Sequence, residues 1–95
     1  MPKSARRRAS KDQSRDELKQ IIRDAFRQRF PHDTVDVSDG YEDNIHVLVV
    51  SREFDKMREK QKQDVMWKII DSTPLTDDQK ALISLVFPVS PAEIK

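Results

Sequence analysis

One apolar run in the middle of the chain, IHVLVV from Ile45 to Val50, constrains the fold more than any other segment. Its β-branched residues favour a strand, and the turn residues before it and the charged segment after it limit it to the length of a strand. Just upstream, Val35 and Val37 alternate with polar residues, which predicts a second, half-buried strand. We therefore expect a β-hairpin whose turn is the segment SDGYEDN.

Helical spacing is found on both sides of this hairpin. Upstream, apolar residues recur at three- and four-residue steps as far as Pro31, and Ser14 and Glu17 have the spacing of a capping box, so we predict a helix that starts at Ser14. Its apolar stripe consists of Leu18, Ile21, Ile22, Ala25, Phe26 and Phe30. Downstream, a second amphipathic helix is predicted from Phe54 to near Ser72. Its core face holds Met57, Met66, Ile69 and Ile70, and its solvent face holds Arg58, Glu59, Lys60, Lys62 and Lys68.

The C-terminal part of the chain predicts a short helix, a strand and a further helix start. Thr76 and Gln79 fit a capped helical turn or two, and a buried strand is expected from about Leu82 to Phe87. The Ser-Pro pair that follows predicts a cap and a first helical residue. The order is helix, strand, strand, helix, strand, short helix. We predict an α+β fold in which helices cover one face of a three-stranded sheet.

Composition excludes several classes of function. The 95 residues fit one small domain, and with no cysteine the chain has no disulfide, CxxC zinc site or cysteine nucleophile. Its apolar runs are far shorter than the ~20 residues of a membrane span, and its N-terminus lacks the apolar part of a secretory signal, so we expect a soluble cytoplasmic protein. No G-x-S-x-G or similar motif frames a serine. We expect neither enzymatic activity nor a cofactor.

Charge is distributed unevenly along the chain. Residues 1–11 carry five bases and no acid, whereas residues 12–95 carry 13 bases and 17 acids. We expect residues 1–13 to form a disordered basic tail on a domain of residues 14–95. Two interpretations of the tail stand side by side: a solubilising leader, or an arm whose Arg6, Arg7 and Arg8 contact nucleic-acid phosphates.

The segment after the central strand supplies further candidates for binding a partner or nucleic acid. These bases are Arg52, Lys56, Arg58, Lys60 and Lys62. Acids are interleaved with them, so a mixed, solvated helix face is the competing interpretation. The chain has only Gly40, and therefore lacks the GXXG loop with which KH domains clamp nucleic acid. Trp67 either widens the core face of the second helix or anchors a partner at its edge.

The two histidines do not form a recognisable metal motif. His46 lies on the same side of its strand as Leu48 and Val50, so we expect it to be packed or hydrogen-bonded. A site built from His32, His46 and Asp36 has no spacing typical of metal ligands.

Two segments together resemble a known family. HVLVVSREF followed by a helix, and then LISLVFPVSPAEI, are similar to the BolA family. Its members have a strand ending in V-V-S, a Phe opening a loop, a helix, and a closing strand that runs into a Thr-Pro-Glu-type helix start. The resemblance covers residues 14–95, and it implies an α-β-β-α-β-α arrangement similar to the class II KH fold.

The resemblance also implies a regulator that works through protein partners, in particular monothiol glutaredoxins that share an iron–sulfur cluster with BolA proteins. The family's Arg-His-Arg triplet falls on Lys62, Gln63 and Asp64, so Gln63 replaces its histidine. Two further ligand positions fall near Asn44 and Leu82. Neither an amide nor an alkyl chain ligates iron as imidazole or thiolate does, so we expect no metal here. The prediction is a non-enzymatic BolA-like adaptor, with a nucleic-acid-binding regulator as the alternative.

Overall fold

The computed structural model of the chain describes the backbone of residues 3–94 and the side chains of residues 15–93. Its elements, in chain order, are α1 (Lys3–Arg29), β1 (Thr34–Asp39), β2 (Ile45–Val50), a first 3-10 turn (Arg52–Lys56), α2 (Glu59–Asp71), α3 (Asp77–Ala81), β3 (Ile83–Val89) and a second 3-10 turn (Pro91–Ile94). The predicted α+β class is confirmed, and so is the order of the two long helices and three strands, whereas the helix predicted to start at Ser90 and Pro91 is a 3-10 turn. Among the described residues, no helix is both long enough and apolar enough to cross a membrane.

The three strands form one mixed sheet in the order β1-β2-β3. β1 and β2 make the predicted antiparallel hairpin, in which Thr34 faces Val50 and Asp39 faces Ile45. β3 returns parallel to β2 after the crossover through α2 and α3. The register shifts between Ile45 and His46, so that Ile45 pairs with Ile83 but His46 pairs with Leu85. This irregularity decides which residues of β3 face outward.

The core lies between the sheet and the helices. On β2 the buried residues are Ile45, Val47 and Val49, which alternate with less buried neighbours as a strand with one covered face requires. The fully buried side chains that pack against them are Ile22 and Phe26 of α1, Phe30 just after α1, and Met66 and Ile70 of α2. Phe54 closes one end of the core, with its ring centroid 5.5 Å from that of Phe30.

The start of α1 differs from the prediction. The helix begins at Lys3, so Ser14 and Glu17 lie inside it and the predicted capping box is wrong. Residues 5–9, ARRRA, are strong helix formers, and the S-x-x-E spacing alone does not stop a helix from running through it. The helix overlaps the basic tail predicted for residues 1–13, whose side chains, including those of Arg6, Arg7 and Arg8, lie outside the described residues. The separation of that tail from the domain stays a prediction.

The second helix also starts later than predicted. Phe54 belongs to the first 3-10 turn, in which the Ser51 hydroxyl accepts a hydrogen bond from the Glu53 N–H. Met57 and Arg58 are extended, and α2 begins only at Glu59. The 3-10 turn places the Phe54 ring in the core before the helix begins. α3 starts as predicted, because the Thr76 hydroxyl and the Gln79 side chain cap it reciprocally.

Candidate functional site

The face of the sheet opposite the helices is a grid of side chains from all three strands. Its β2 column consists of His46, Leu48 and Val50, and its β3 column of Leu85, Phe87 and Val89, paired with them in that order. Its β1 column is polar and consists of Ser38, Asp36 and Thr34. We call this surface the open sheet face. It is apolar along β2 and β3 and polar along β1.

Two residues of the open sheet face are unusually exposed for their size. Leu85 keeps 48% and Phe87 41% of their surface accessible, and no described part of the chain covers them. The register shift at the start of β3 places both on this face while Ile83 and Val86 point to the core. Sequence reasoning treated this strand as simply buried and missed the outward pair. The alternation within LVFPV was the signal that could have revealed it.

His46 lies at the end of this face and packs as predicted. Its imidazole meets the Phe87 ring edge-on, with centroids 5.8 Å apart and planes at 81°. It also covers the backbone of Gly40, so closely that a side chain at residue 40 would collide with the ring. Among the described residues, no group of three or more His, Asp or Glu side chains is placed to hold a metal ion, and this includes the set of His32, His46 and Asp36.

The positions matched to the family's iron ligands make internal hydrogen bonds. The Gln63 amide nitrogen donates to the Val86 carbonyl at 3.3 Å, and its oxygen accepts from the Trp67 indole N–H at 3.2 Å. Gln63 therefore ties α2 to β3 and orients Trp67, which is partly buried against the core, as the first interpretation of this residue expected.

The other two matched positions lie at the turn end of the sheet. The Asn44 carbonyl accepts from the Gly40 N–H at 2.7 Å and from an Arg15 guanidinium nitrogen at 3.2 Å. The Leu82 carbonyl accepts from the Ile45 N–H at 2.8 Å. Asn44 and Leu82 thus lie near each other, because Ile45 follows Asn44 in the chain and bonds to Leu82. Gln63 instead contacts a later part of β3.

Lys62 is the largest departure from the predicted charge pattern. It was expected in solvent, but only 5% of it is exposed. Its ammonium lies 2.6 Å from a Glu93 carboxylate oxygen and 3.1 Å from one of Glu59. The hydrogen bond with Glu93 raises the pKa of Lys62. Burial of the ammonium opposes this effect, and the hydrogen bond with Glu59 adds to it. Lys62 therefore links the second 3-10 turn to α2. The Ser90 N–H donates to the same Glu93 oxygen and so helps to hold this carboxylate in place.

Three of the four acids of this segment, Glu53, Asp55 and Glu59, have internal partners, whereas Asp64 has none among the described residues. Both oxygens of Glu53 accept from Arg29, at 2.8 and 2.9 Å, and this hydrogen bonding lowers the pKa of Glu53. Asp55 accepts from the Ser90 hydroxyl, and Glu59 pairs with Lys62.

The remaining bases of the segment have no such partner. Arg52, Lys56, Arg58 and Lys60 are exposed, and no described carboxylate lies within ion-pairing distance of them. We call these four residues the cationic segment. Three of the interleaved acids thus bond to other parts of the fold, while these four bases face solvent. Lys62 among the bases and Asp64 among the acids are the exceptions.

Comparison of the chain with protein-family models, with curated proteins and with solved structures gave no match.

Proposed function

We propose that this chain is a non-enzymatic, BolA-like adaptor or regulator that recognises a protein partner through its open sheet face. The observation that carries the proposal is the exposure of Leu85 and Phe87 on a sheet face that no described element covers. A sheet that buries only one face usually turns polar side chains outward on the other, and an exposed apolar patch marks an interaction site. The resemblance of residues 14–95 to BolA proteins supports the proposal, which is for a protein of the cytoplasm.

The chemistry of this face indicates what the partner presents. Leu48, Leu85 and Phe87 offer an apolar strip, and aromatic side chains such as Phe87 are enriched in interface cores. Asp36 lies beside the strip on β1, and no described base pairs with it. We expect a partner with an apolar patch and a basic side chain next to it, opposite Asp36.

Binding without a shared cluster is part of the proposal. The amide of Gln63 is engaged with Trp67 and Val86, and an amide is a poor iron ligand in any case. We propose that a glutaredoxin-type partner, if it is the natural one, binds through the open sheet face with no iron requirement.

Titration with a monothiol glutaredoxin tests this form of the proposal. Calorimetry with the apo glutaredoxin and with its cluster-loaded form should give the same affinity, and Phe87→Ser should weaken both about tenfold or more, as loss of an interface anchor does. Thr34→Ser, on the polar column of the same face, is the matched control and should change little. Affinity that Phe87→Ser leaves intact would reject the surface. A visible spectrum of the cluster that changes with this chain would mean that it does supply ligands, and absence of any binding would remove glutaredoxins from the proposal.

A second candidate function, a nucleic-acid-binding regulator, is supported by the four exposed bases of the cationic segment, which follow β2. Because Glu53, Asp55 and Glu59 are bonded internally, the four bases of the cationic segment face solvent with no described carboxylate within ion-pairing distance. The basic N-terminal residues would add phosphate contacts.

Salt dependence of binding to a duplex oligonucleotide tests the second candidate. Each phosphate contact contributes about −0.9 to the slope of log K against log salt, so Lys56→Gln combined with Lys60→Gln should reduce its magnitude by about 2. Deleting residues 1–11 should reduce it further. A slope that neither change alters would reject nucleic-acid binding by these bases.

A further inference from the structure

The outer edge of β1 carries free backbone groups, because this strand has a neighbour on one side only. In an antiparallel pair, alternate residues bond to the neighbouring strand and the residues between them direct their N–H and C=O groups away from it. The Gly40 N–H donates to the Asn44 carbonyl at 2.7 Å. Counting back from Gly40 in steps of two gives the residues that bond to β2, which are Ser38, Asp36 and Thr34. The residues with outward backbone groups are therefore Val35, Val37 and Asp39, and we call these groups the β1 edge.

The β1 edge is almost unused within the chain. A guanidinium nitrogen of Arg23 donates to the Val37 carbonyl at 3.4 Å, which agrees with the outward direction of that carbonyl. A carbonyl oxygen accepts two hydrogen bonds, so this contact leaves room for another donor. No other described hydrogen bond engages the outward groups of Val35, Val37 or Asp39. A row of unpaired N–H and C=O groups at strand spacing is complementary to one further extended chain.

The opposite edge of the sheet, on β3, is closed by comparison. Pro88 has no N–H to donate, and the Val86 carbonyl accepts from the side-chain amide of Gln63. Proline is one of the means by which proteins prevent pairing at an edge strand. β1 contains no proline, so of the two edges of this sheet it is the one that can accept a further strand.

Two charges of opposite sign flank the β1 edge. Arg23 belongs to α1, which packs on the core side of the sheet, and its guanidinium reaches the edge at Val37. Asp36 lies on the other side, in the open sheet face. Neither has a described partner of opposite charge within ion-pairing distance. A strand added here meets a positive charge on one side of the sheet and a negative charge on the other.

A second copy of this chain fits the β1 edge poorly. If two β1 strands paired antiparallel about Val37, the Arg23 guanidinium of each copy would lie beside that of the other. If they paired about Asp36, the two Asp36 carboxylates would lie directly opposite each other. Like charges in such positions are destabilising. The β1 edge is therefore better matched by a strand of different sequence.

We propose that the β1 edge binds an extended segment of a partner protein as a fourth strand, antiparallel to β1. Successive side chains of this segment alternate between the two sides of the sheet. The residue opposite Val37 then lies beside Arg23, and the next residue lies opposite Asp36. The segment that fits has an acid at the first of these positions and a base at the second, flanked by β-branched residues. The proposal goes beyond the proposed function, because it rests on the backbone edge and not on the exposed apolar residues.

A labelled peptide tests the proposal. It has about nine residues, mostly threonine and valine, with a central glutamate followed by a lysine. Fluorescence anisotropy should show saturable binding to the full chain. A peptide of the same composition with the lysine before the glutamate should bind about threefold to tenfold more weakly, because an antiparallel strand then loses both ion pairs. Tighter binding of the reversed order would contradict the antiparallel arrangement.

Hydrogen exchange of single amides, followed by nuclear magnetic resonance, locates the bound peptide. In the free chain the amides of Val35, Val37 and Asp39 should exchange faster than those of Asp36 and Ser38, which bond to β2. Saturating peptide should slow the first group about tenfold and leave the second unchanged. Protection without this alternation would place the peptide elsewhere.

Two substitutions at one position separate backbone pairing from side-chain contacts. Val35→Pro removes an outward N–H but no described hydrogen bond between β1 and β2, so it should weaken the peptide about tenfold. Val35→Thr is the matched control, because it keeps the N–H and the β-branched shape, and it should change the affinity little. Circular dichroism of both variants checks that they are folded.

A charge exchange tests the contact with Arg23. Arg23→Glu should weaken the peptide about threefold to tenfold, since a repulsion replaces an attraction. A peptide with lysine in place of its glutamate should bind this variant better than it binds the original chain. Lys60→Glu is the matched control, because it makes the same change on the exposed surface of α2, a helix that contacts β3 at the opposite edge.

Three results would overturn the proposal: no binding at millimolar peptide, equal effects of Val35→Pro and Val35→Thr, or equal weakening by Arg23→Glu and Lys60→Glu. Sedimentation of the chain alone should show a monomer, and a dimer that Val35→Pro dissociates would overturn the proposal in favour of a second copy. Phe87→Ser should leave peptide affinity unchanged, because β3 is the far strand of the sheet. Failure of the β1 edge is therefore distinguishable from failure of the open sheet face.

Discussion

Replacing Gly40 by alanine tests whether the His46 imidazole alone keeps residue 40 free of a side chain. Gly40 does not have a positive φ, so its backbone accepts alanine without strain. A Cβ built there, however, would overlap Nε2 of His46 and lie 2.7 Å from its Cε1. The ring must move away, and its edge-on contact with Phe87 is lost with it.

The expected magnitude follows from three contributions. Moving the imidazole off its rotamer costs about 0.5–1.5 kcal/mol, and losing the contact with the Phe87 ring costs about 0.5–1.5 kcal/mol. The lower entropy of alanine in the unfolded chain offsets about 0.4–1 kcal/mol of this. Gly40→Ala should therefore lower the free energy of unfolding by about 1 kcal/mol. In a His46→Ala background the first two contributions are already absent, so the same change should raise stability by about 0.4–1 kcal/mol.

Urea unfolding of the four proteins of this double-mutant cycle measures the effect, with fluorescence of the single tryptophan as the signal. The decisive result is a change of sign between the two backgrounds. Equal destabilisation of both by Gly40→Ala would refute the reasoning, because it would show that the backbone, and not the imidazole, excludes a side chain at residue 40.

Three further predictions concern α1 and α2. Ile22→Val removes one methylene from a fully buried side chain and should cost about 0.5–1.5 kcal/mol in urea unfolding, whereas a loss near zero would contradict the assigned core. Gln63→Leu leaves the Trp67 N–H without its acceptor, so we expect a cost of about 0.5–1.5 kcal/mol and a shifted tryptophan emission; unchanged emission would argue against the bond. The hydrogen bond from Lys62 lowers the pKa of Glu93, so stability from this pair is present above the carboxyl's unfolded pKa and is lost as pH falls through its folded value. Lys62→Met should therefore reduce the fall in stability between about pH 5 and about pH 2, and an unaltered acid profile would contradict the pairing.

Much of the fold could be predicted because local pattern and burial agree along the chain. The hairpin of β1 and β2 and the capped start of α3 depend on alternation and on side chains a few residues apart, which the sequence displays directly. The start of α1 could not be predicted in this way. The capping-box spacing at Ser14 and Glu17 is local too, but it competes with a run of helix formers before it, and spacing does not say which of them prevails.

The candidate surfaces were harder to predict because they depend on contacts between distant residues. From the sequence, Lys62 is assigned to the solvent face, because its partner Glu93 lies far along the chain and is positioned only by the second 3-10 turn. From the sequence, Leu85 is assigned to the core, and only the register of β3 against β2 shows that it lies on the open sheet face. Likewise the interleaved charges after β2 indicate a mixed face, and only the distant partners Arg29 and Ser90 show that Glu53 and Asp55 are engaged within the fold.

The exposure of the open sheet face follows from the size of the chain. A domain of this length buries little more than ~60% of the surface its unfolded chain exposes, and here the long helices α1 and α2 are both used on one side of the sheet. Covering the other side would require another amphipathic element, which the described residues do not supply. Polar substitution at Leu85 and Phe87 would have made that side ordinary surface at no cost to the core, because neither residue contributes to it. Apolar side chains exposed outside the core are typical of interaction surfaces, and this is the physical basis of our proposal that the chain recognises a protein partner.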